Sequence, residues 1–338
     1  MGLGGLFGIF SCCCLACSSS EPVAFDPAAV DAGHDGDVDA PAIDANDAGL
    51  SKRSHFIMIH LEAYHKGPTD PDFSSTILDV PSPFRDEPLG YQRYVWPAVQ
   101  QLVADADEFG FKLTLAMNPQ WSDFILADST REALVQSWRQ VGHELAHHHH
   151  PANHPDWNGY TNDASLSHDP LFLGTVSAGY DLVARLVPTG TLRTAMIGGL
   201  PEDMPIDSWK RVNGQIVLTS GNQFDSYPDG PEPLAPLRPF EDPKPPELGD
   251  PEGTIVVLNH RELGTTNHRT IEEAIEAYQH QYLGLQPDEV FGLVFHGFDY
   301  LKARDRILPW FEFVAEEGGS VKTIHEIVAT YPYEFDPG

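Results

Sequence analysis

The chain has 338 residues, of which 41% are hydrophobic and 10% aromatic, enough for one large domain or two small ones and too apolar for a disordered or fibrous chain. Fifty acids against twenty Lys and Arg give a formal charge of -30, which argues against nucleic acid or anionic lipid as a partner. All four cysteines, Cys12, Cys13, Cys14 and Cys17, precede residue 18, so any metal in the body of the chain must be held by His, Asp or Glu.

Met1 to Ala16 is apolar and rich in small residues, and is too short to span a bilayer permanently. It ends Cys14-Leu15-Ala16-Cys17-Ser18-Ser19-Ser20, which resembles the lipobox of bacterial lipoproteins. That resemblance implies a signal peptide over residues 1–17, lipidation of Cys17, and an exported protein tethered to the cell envelope; an ordinary secretory signal is the alternative. Residues 18–52 read as a disordered linker, because Glu21 to Leu50 carries eight acids, no bases and little that is large and apolar. Asp35-Gly36-Asp37-Val38-Asp39 is similar to the start of a calcium loop but lacks the later glutamate.

From residue 53 to 338, short apolar runs alternate with amphipathic segments. His55 to Glu62 reads as a buried strand and Tyr91 to Phe109 as a helix. Phe111 to Met117 is the next strand, Thr130 to Gln140 the next helix, and Glu144 to His148 a third strand. Val176 to Val187 reads as helix, with strands following at Thr191 to Ile197, Gln215 to Thr219 and Thr254 to Leu258. Thr270 and Glu273 form a capping box that opens a helix to Tyr282, and Val290 to Phe295 and Ser320 to Thr323 complete the strands. About eight strands with helices between most of them predict an α/β fold, a single-domain parallel (β/α) barrel. Nine prolines between Gln223 and Pro251 mark a long loop, read as a lid, a substrate wall or a disordered segment.

The predicted strand ends carry His60 and Glu62, His148 and His150, Asn259 and His260, and His296. His60 and Glu62 are two apart on a strand, so both point to one face. The tract from Gly142 to His154 packs six histidines into thirteen residues, a density that invites a divalent metal. Pro151 favours the first turn of a helix, which would put His150 and His154 on one face; alternatively His148 and His150 project together from the strand. Trp121, Trp157, Tyr160, Phe224 and Tyr227 are candidates for a sugar groove or for simple packing.

The order of helix, Lys112-to-Met117 strand, helix and then Gly142-His143-Glu144-Leu145-Ala146-His147-His148 resembles the NodB-type polysaccharide deacetylases. Leu293-Val294-Phe295-His296 is similar to that family's last motif, and Val321 to Ile327 to its final strand and helix. The resemblance implies a distorted (β/α) barrel, a divalent metal, most often Zn2+, and removal of acetyl groups from a carbohydrate. It implies catalytic roles for Glu62, His296 and Arg193, and a metal held from among His60, Glu62, His148, His150 and His154. Two departures stand out: Ile59-His60-Leu61-Glu62 replaces the family's pair of adjacent aspartates, and Ala152 falls where the second motif histidine is expected.

These readings predict a monomeric hydrolase acting on an N- or O-acetylated glycan, with Trp157, Tyr160 and Asp225 as substrate contacts. Such a protein meets a membrane only through its lipid anchor and binds no nucleic acid. One alternative is a glycoside hydrolase using Glu62 with Asp225 or Asp299 as its two carboxylates. The other is a non-catalytic surface lipoprotein that binds metal or glycan.

Overall fold

The computed structural model describes residues 53–62, 80–81, 84, 87–152, 157–188, 192–197, 217–220, 255–258, 260–263, 270–286 and 289–330. Nine strands form one sheet: β1 (Ser54–Leu61), β2 (Thr114–Met117), β3 (Glu144–His149), β4 (Thr194–Ile197), β5 (Val217–Ser220), β6 (Ile255–Leu258), β7 (Arg261–Glu262), β8 (Val290–His296) and β9 (Ser320–Val321). Their order is β6-β5-β4-β3-β2-β1-β8-β7, with β9 also beside β1, and each of these pairings is parallel. This is the cyclic order of a (β/α) barrel, with no ladder between β6 and β7 among the described residues. The helices are α1 (Gly90–Glu108), α2 (Pro119–Leu126), α3 (Ser129–Gln140), α4 (Val176–Ala184), α5 (Ile271–Leu283), α6 (Gly297–Glu316) and α7 (Ile324–Thr330).

The strands read as unbroken apolar runs because both faces of the sheet are covered. Along β1, Ile57, Ile59 and Leu61 join the core shared with the helices, among them Val95 and Val99 of α1. The alternate residues Phe56 and Met58 face a second core with Ala116, Ala146, Leu258, Val290 and Val294. Ile324, Ile327 and Val328 of α7 belong to that second core. One sheet with a helix-facing core and a separate interior core is barrel-like, and its interior faces carry the alternation onward to the C-terminal ends of the strands.

α2 and α6 have no counterpart among the elements predicted from the sequence. Asn118 caps α2, its side chain accepting from the Trp121 amide at 3.1 Å, and Pro119 occupies the first turn. α6 starts directly after β8 because Gly297 lets the chain approach closely: a Cβ there would lie 3.0 Å from Leu61 and 3.3 Å from Val95 and Val99. The capping box at Thr270 and Glu273 forms as the sequence predicts. Among the described residues no helix is long and apolar enough to cross a membrane.

Candidate metal centre

The inward alternation of β1 continues from Phe56 and Met58 to His60 and then Glu62, at the C-terminal end of the strand. β3 does the same through Ala146, His148 and His150, and β8 through Val294 and His296. Register aligns these ends: His60 pairs with His296 across β1 and β8, and with Ala116 on β2. The α2 turn fixes the end of β1, since the Asn118 amide donates to the Leu61 carbonyl (3.3 Å) and the Trp121 indole to that of Glu62 (2.8 Å). Asn118 is thus a positioning residue; its signal in the sequence was the Asn-Pro start of α2.

Glu62 is the centre of the arrangement and is buried. Its Oε1 lies 3.0 Å from His148 Nε2 and 3.0 Å from His150 Nε2, and the two Nε2 atoms are 3.0 Å apart. Oε2 lies 2.9 Å from His150 Nε2. His296 Nε2 approaches Oε1 at 3.3 Å, and His60 Nδ1 at 3.8 Å. The His60 ring stacks on His148 at 4.4 Å between centroids and meets His296 edge-on at 5.3 Å. His260, which follows β6, stands edge-on to His60 at 6.0 Å.

Two imidazole nitrogens 3.0 Å apart cannot both carry a proton pointing at the other, so at least one is an acceptor. Three ligand atoms at mutual distances of 3.0 Å fit a small divalent ion well, since a tetrahedral site with bonds of about 2.0–2.1 Å has edges of about 3.3 Å. The electrostatics agree. Burial opposes charge on Glu62, but His148 and His150 outweigh it and hold the carboxyl well below its usual range. Burial pushes His148 down to about 4 against the pull of Glu62, leaving a neutral ring with a lone pair to offer. Burial, with the neighbouring histidines His148 and His296, holds His60 well below its usual value, and its Nε2 has no hydrogen-bond partner among the described residues.

His296 is the opposite case. Its Nδ1 lies 2.8 Å from Asp299 Oδ2, which also accepts from the His296 amide at 3.0 Å. Burial disfavours the imidazolium, yet the bonds to Asp299 and Glu62 and their charges raise its pKa well above the usual value. Asp299, a candidate second carboxylate in the glycoside hydrolase reading, is the partner of His296.

Other predicted site residues are placed elsewhere. The Arg193 guanidinium meets His325 Nε2 at the N-terminal ends of the strands, opposite the Glu62 cluster. Arg193 and His325 line a recess of about 410 Å3 there, together with Arg139, His143 and Glu144. Trp157 and Tyr160 are buried, and the Trp157 indole donates to the Tyr160 carbonyl, so both rings pack the loop after β3. That loop steadies β3, since the Asn158 side chain donates to the His148 carbonyl at 3.4 Å. β3 extends one residue further than the sequence predicts, to His149, and Pro151 and Ala152 are not helical. The alternation therefore brings His150, two on from His148, to Glu62. His154, Asn259, Asp225, Phe224, Tyr227, the proline-rich loop, the linker and Cys17 lie outside the described residues.

Parallel strands around an interior core, with a buried cluster of imidazoles and a carboxylate at their C-terminal ends, define an α/β protein with a candidate divalent-metal centre. No family model matches the chain. No curated protein matches it either. Among solved structures, one described as "putative polysaccharide deacetylase from Mycobacterium smegmatis" is similar at 16% identity and a TM-score of 0.46, covering 87% of this chain and 92% of that one.

Proposed function

We propose that the chain is a metal-dependent hydrolase that removes acetyl groups from an acetylated glycan, the activity implied by the resemblance of Gly142 to His148 and Leu293 to His296 to the NodB-type motifs. The observation that carries it is the meeting of Glu62, His148 and His150 beside the His296 and Asp299 pair. Glu62, His148 and His150 would hold the ion, which when bound polarises an acyl carbonyl and lowers the pKa of water toward about 7. With Glu62 engaged by the histidines, the base falls to His60, whose neutral ring has an unpartnered Nε2 to accept a proton from water. His296 holds a proton on Nε2, backed by Asp299 at Nδ1, and gives it to the departing amine or alcohol. Two imidazoles whose environments push their pKa values apart are the expected signature of such an acid and base pair.

The lost aspartate pair of the first motif is met in this reading by Glu62 as ligand and His60 as base. We propose further that lipidation at Cys17 tethers a monomer to the cell envelope, where its glycan lies. The test is acetate release from chitin oligomers, peptidoglycan and acetyl-xylan by the zinc-loaded protein, with and without chelator. Release that chelator abolishes supports the proposal; metal-loaded protein that releases acetate from none of the three is the non-catalytic binder. Of the two carboxylates the glycoside hydrolase reading pairs with Glu62, Asp299 has its Oδ2 engaged by the His296 ring and amide, and Asp225 lies outside the described residues.

A further inference from the structure

The centre holds more ligands than one ion uses. Two groups of three converge, each with its ligand atoms within 4.8 Å of one another: Glu62 with His148 and His150, and Glu62 with His60 and His296. Glu62 is the shared member: His148, His150, His296 and His60 all approach its Oε1, at 3.0, 3.0, 3.3 and 3.8 Å, and His150 also lies 2.9 Å from Oε2. A carboxylate crowded by four imidazoles has donors enough around it to be shared by two cations. His296 is also set up as a ligand in its outer contacts: its Nδ1 is tied to the Asp299 carboxylate at 2.8 Å, the arrangement that orients metal-binding histidines. His60 is 95% buried, with Nδ1 toward Glu62 at 3.8 Å and Nε2 unpartnered among the described residues. Burying that imidazole without a partner is costly unless something there uses its lone pair.

We propose that His60, Glu62 and His296 form a second divalent-cation site, with Glu62 bridging it to the site of Glu62, His148 and His150. The inference rests on the function proposed above and gives it a regulation. An ion at the second site engages the His60 and His296 rings that serve as base and acid, through His60 Nδ1 and His296 Nε2, the nitrogens nearest Glu62, and the proton on His296 Nε2 is released to solvent. Excess metal therefore inhibits. The donor set of imidazoles and one carboxylate favours zinc, cobalt or nickel over magnesium or calcium.

The experiment is metal binding by the full chain, measured by equilibrium dialysis with Zn2+ and by the visible spectrum on titration with Co2+. Two equivalents are expected, with a second spectral component appearing after the first equivalent. His60→Asn is expected to bind one equivalent, with the first affinity within about threefold of wild type, and His150→Asn to lose the tighter one. One equivalent in the wild type overturns the second site and leaves the proposed hydrolase standing. Two equivalents that persist in both His60→Asn and His296→Asn also overturn it. No binding overturns this inference and the proposed function together.

Discussion

Glu62 is a buried carboxylate whose charge is tolerated because imidazoles surround it. An isolated buried carboxylate would protonate instead, so the side chain is set to hold either imidazolium or a metal cation. Glu62→Gln keeps the shape and removes the charge. Zinc affinity measured by competition with a chromophoric chelator is expected to fall at least about 100-fold, since loss of even an outer-shell partner costs about 10–100-fold. Unchanged affinity would remove Glu62 from the ligand set. In the proposed reaction Asp299 acts through His296 and touches no reacting atom, so Asp299→Asn is expected to act on turnover rather than on binding. A positioned proton donor is worth about 100-fold or more. We therefore expect kcat for acetate release to fall about 100-fold with KM within about threefold. An equal fall in KM-dependent and KM-independent rates through loss of metal would show instead that Asp299 maintains the ligand geometry.

At the scale of elements, α1 and α6 are joined by a polar clasp beside their apolar contact. Asp105, buried on α1, accepts both Arg304 nitrogens, Nε at 2.7 Å and Nη2 at 2.8 Å, and hydrogen bonds from Tyr300 and from Gln101 (2.8 Å). Burial disfavours the carboxylate, but these donors together hold its pKa below the usual 3.8. A depressed carboxylate pKa contributes stability above the unfolded value, which is lost as pH falls through the folded value. Asp105→Asn is expected to cost about 1–2 kcal/mol at pH 7, a range discounted because Arg304 is partly in solvent. In urea melts from pH 7 to 3, the gap between wild type and variant should be constant down to about pH 4 and narrow below it; a gap that is flat throughout would assign the cost to packing. The elements also show what the sequence makes legible. β1 and β8 stand out as apolar runs, and α5 by its capping box. α2 escapes because its eight residues are too few for the helical spacing of Trp121, Phe124 and Ile125 to stand out. α6 escapes because Pro309 and a non-helical Ala303 interrupt its pattern. Register was not legible either: that His60 faces His296 follows from pairing between residues 236 apart, which no local pattern encodes. That His150 reaches Glu62 has a local reason that only the strand's length decides. β3 runs through His149, and period two then selects the residue two on from His148.

The molecule as a whole places its least stable chemistry where its strands end. Below the centre the interior is filled by Phe56, Met58, Val290 and Val294 and closed by α7, an apolar layer that needs no ligand. At the centre, buried His60, Glu62, His148 and His150 meet the partly buried His296, and burial and mutual charge oppose protonating His60 and His148. Binding a cation there offsets a cost the fold has already met, so metal affinity and stability are linked. For an ion that binds only the folded chain, free ion at about 100 times its Kd adds about 2.7 kcal/mol. In a body of this size that corresponds to a rise in Tm of about 5 °C. Thermal melts of chelator-treated protein with added Zn2+ are expected to show this rise and its reversal by chelator. Mg2+ at the same multiple of the zinc Kd should give none, because it demands oxygen ligands. Glu62→Gln, whose carboxylate charge is gone, should melt at one temperature with or without zinc. A zinc shift of equal size in that variant would move the stabilising ion to another part of the chain and detach the buried histidines from metal.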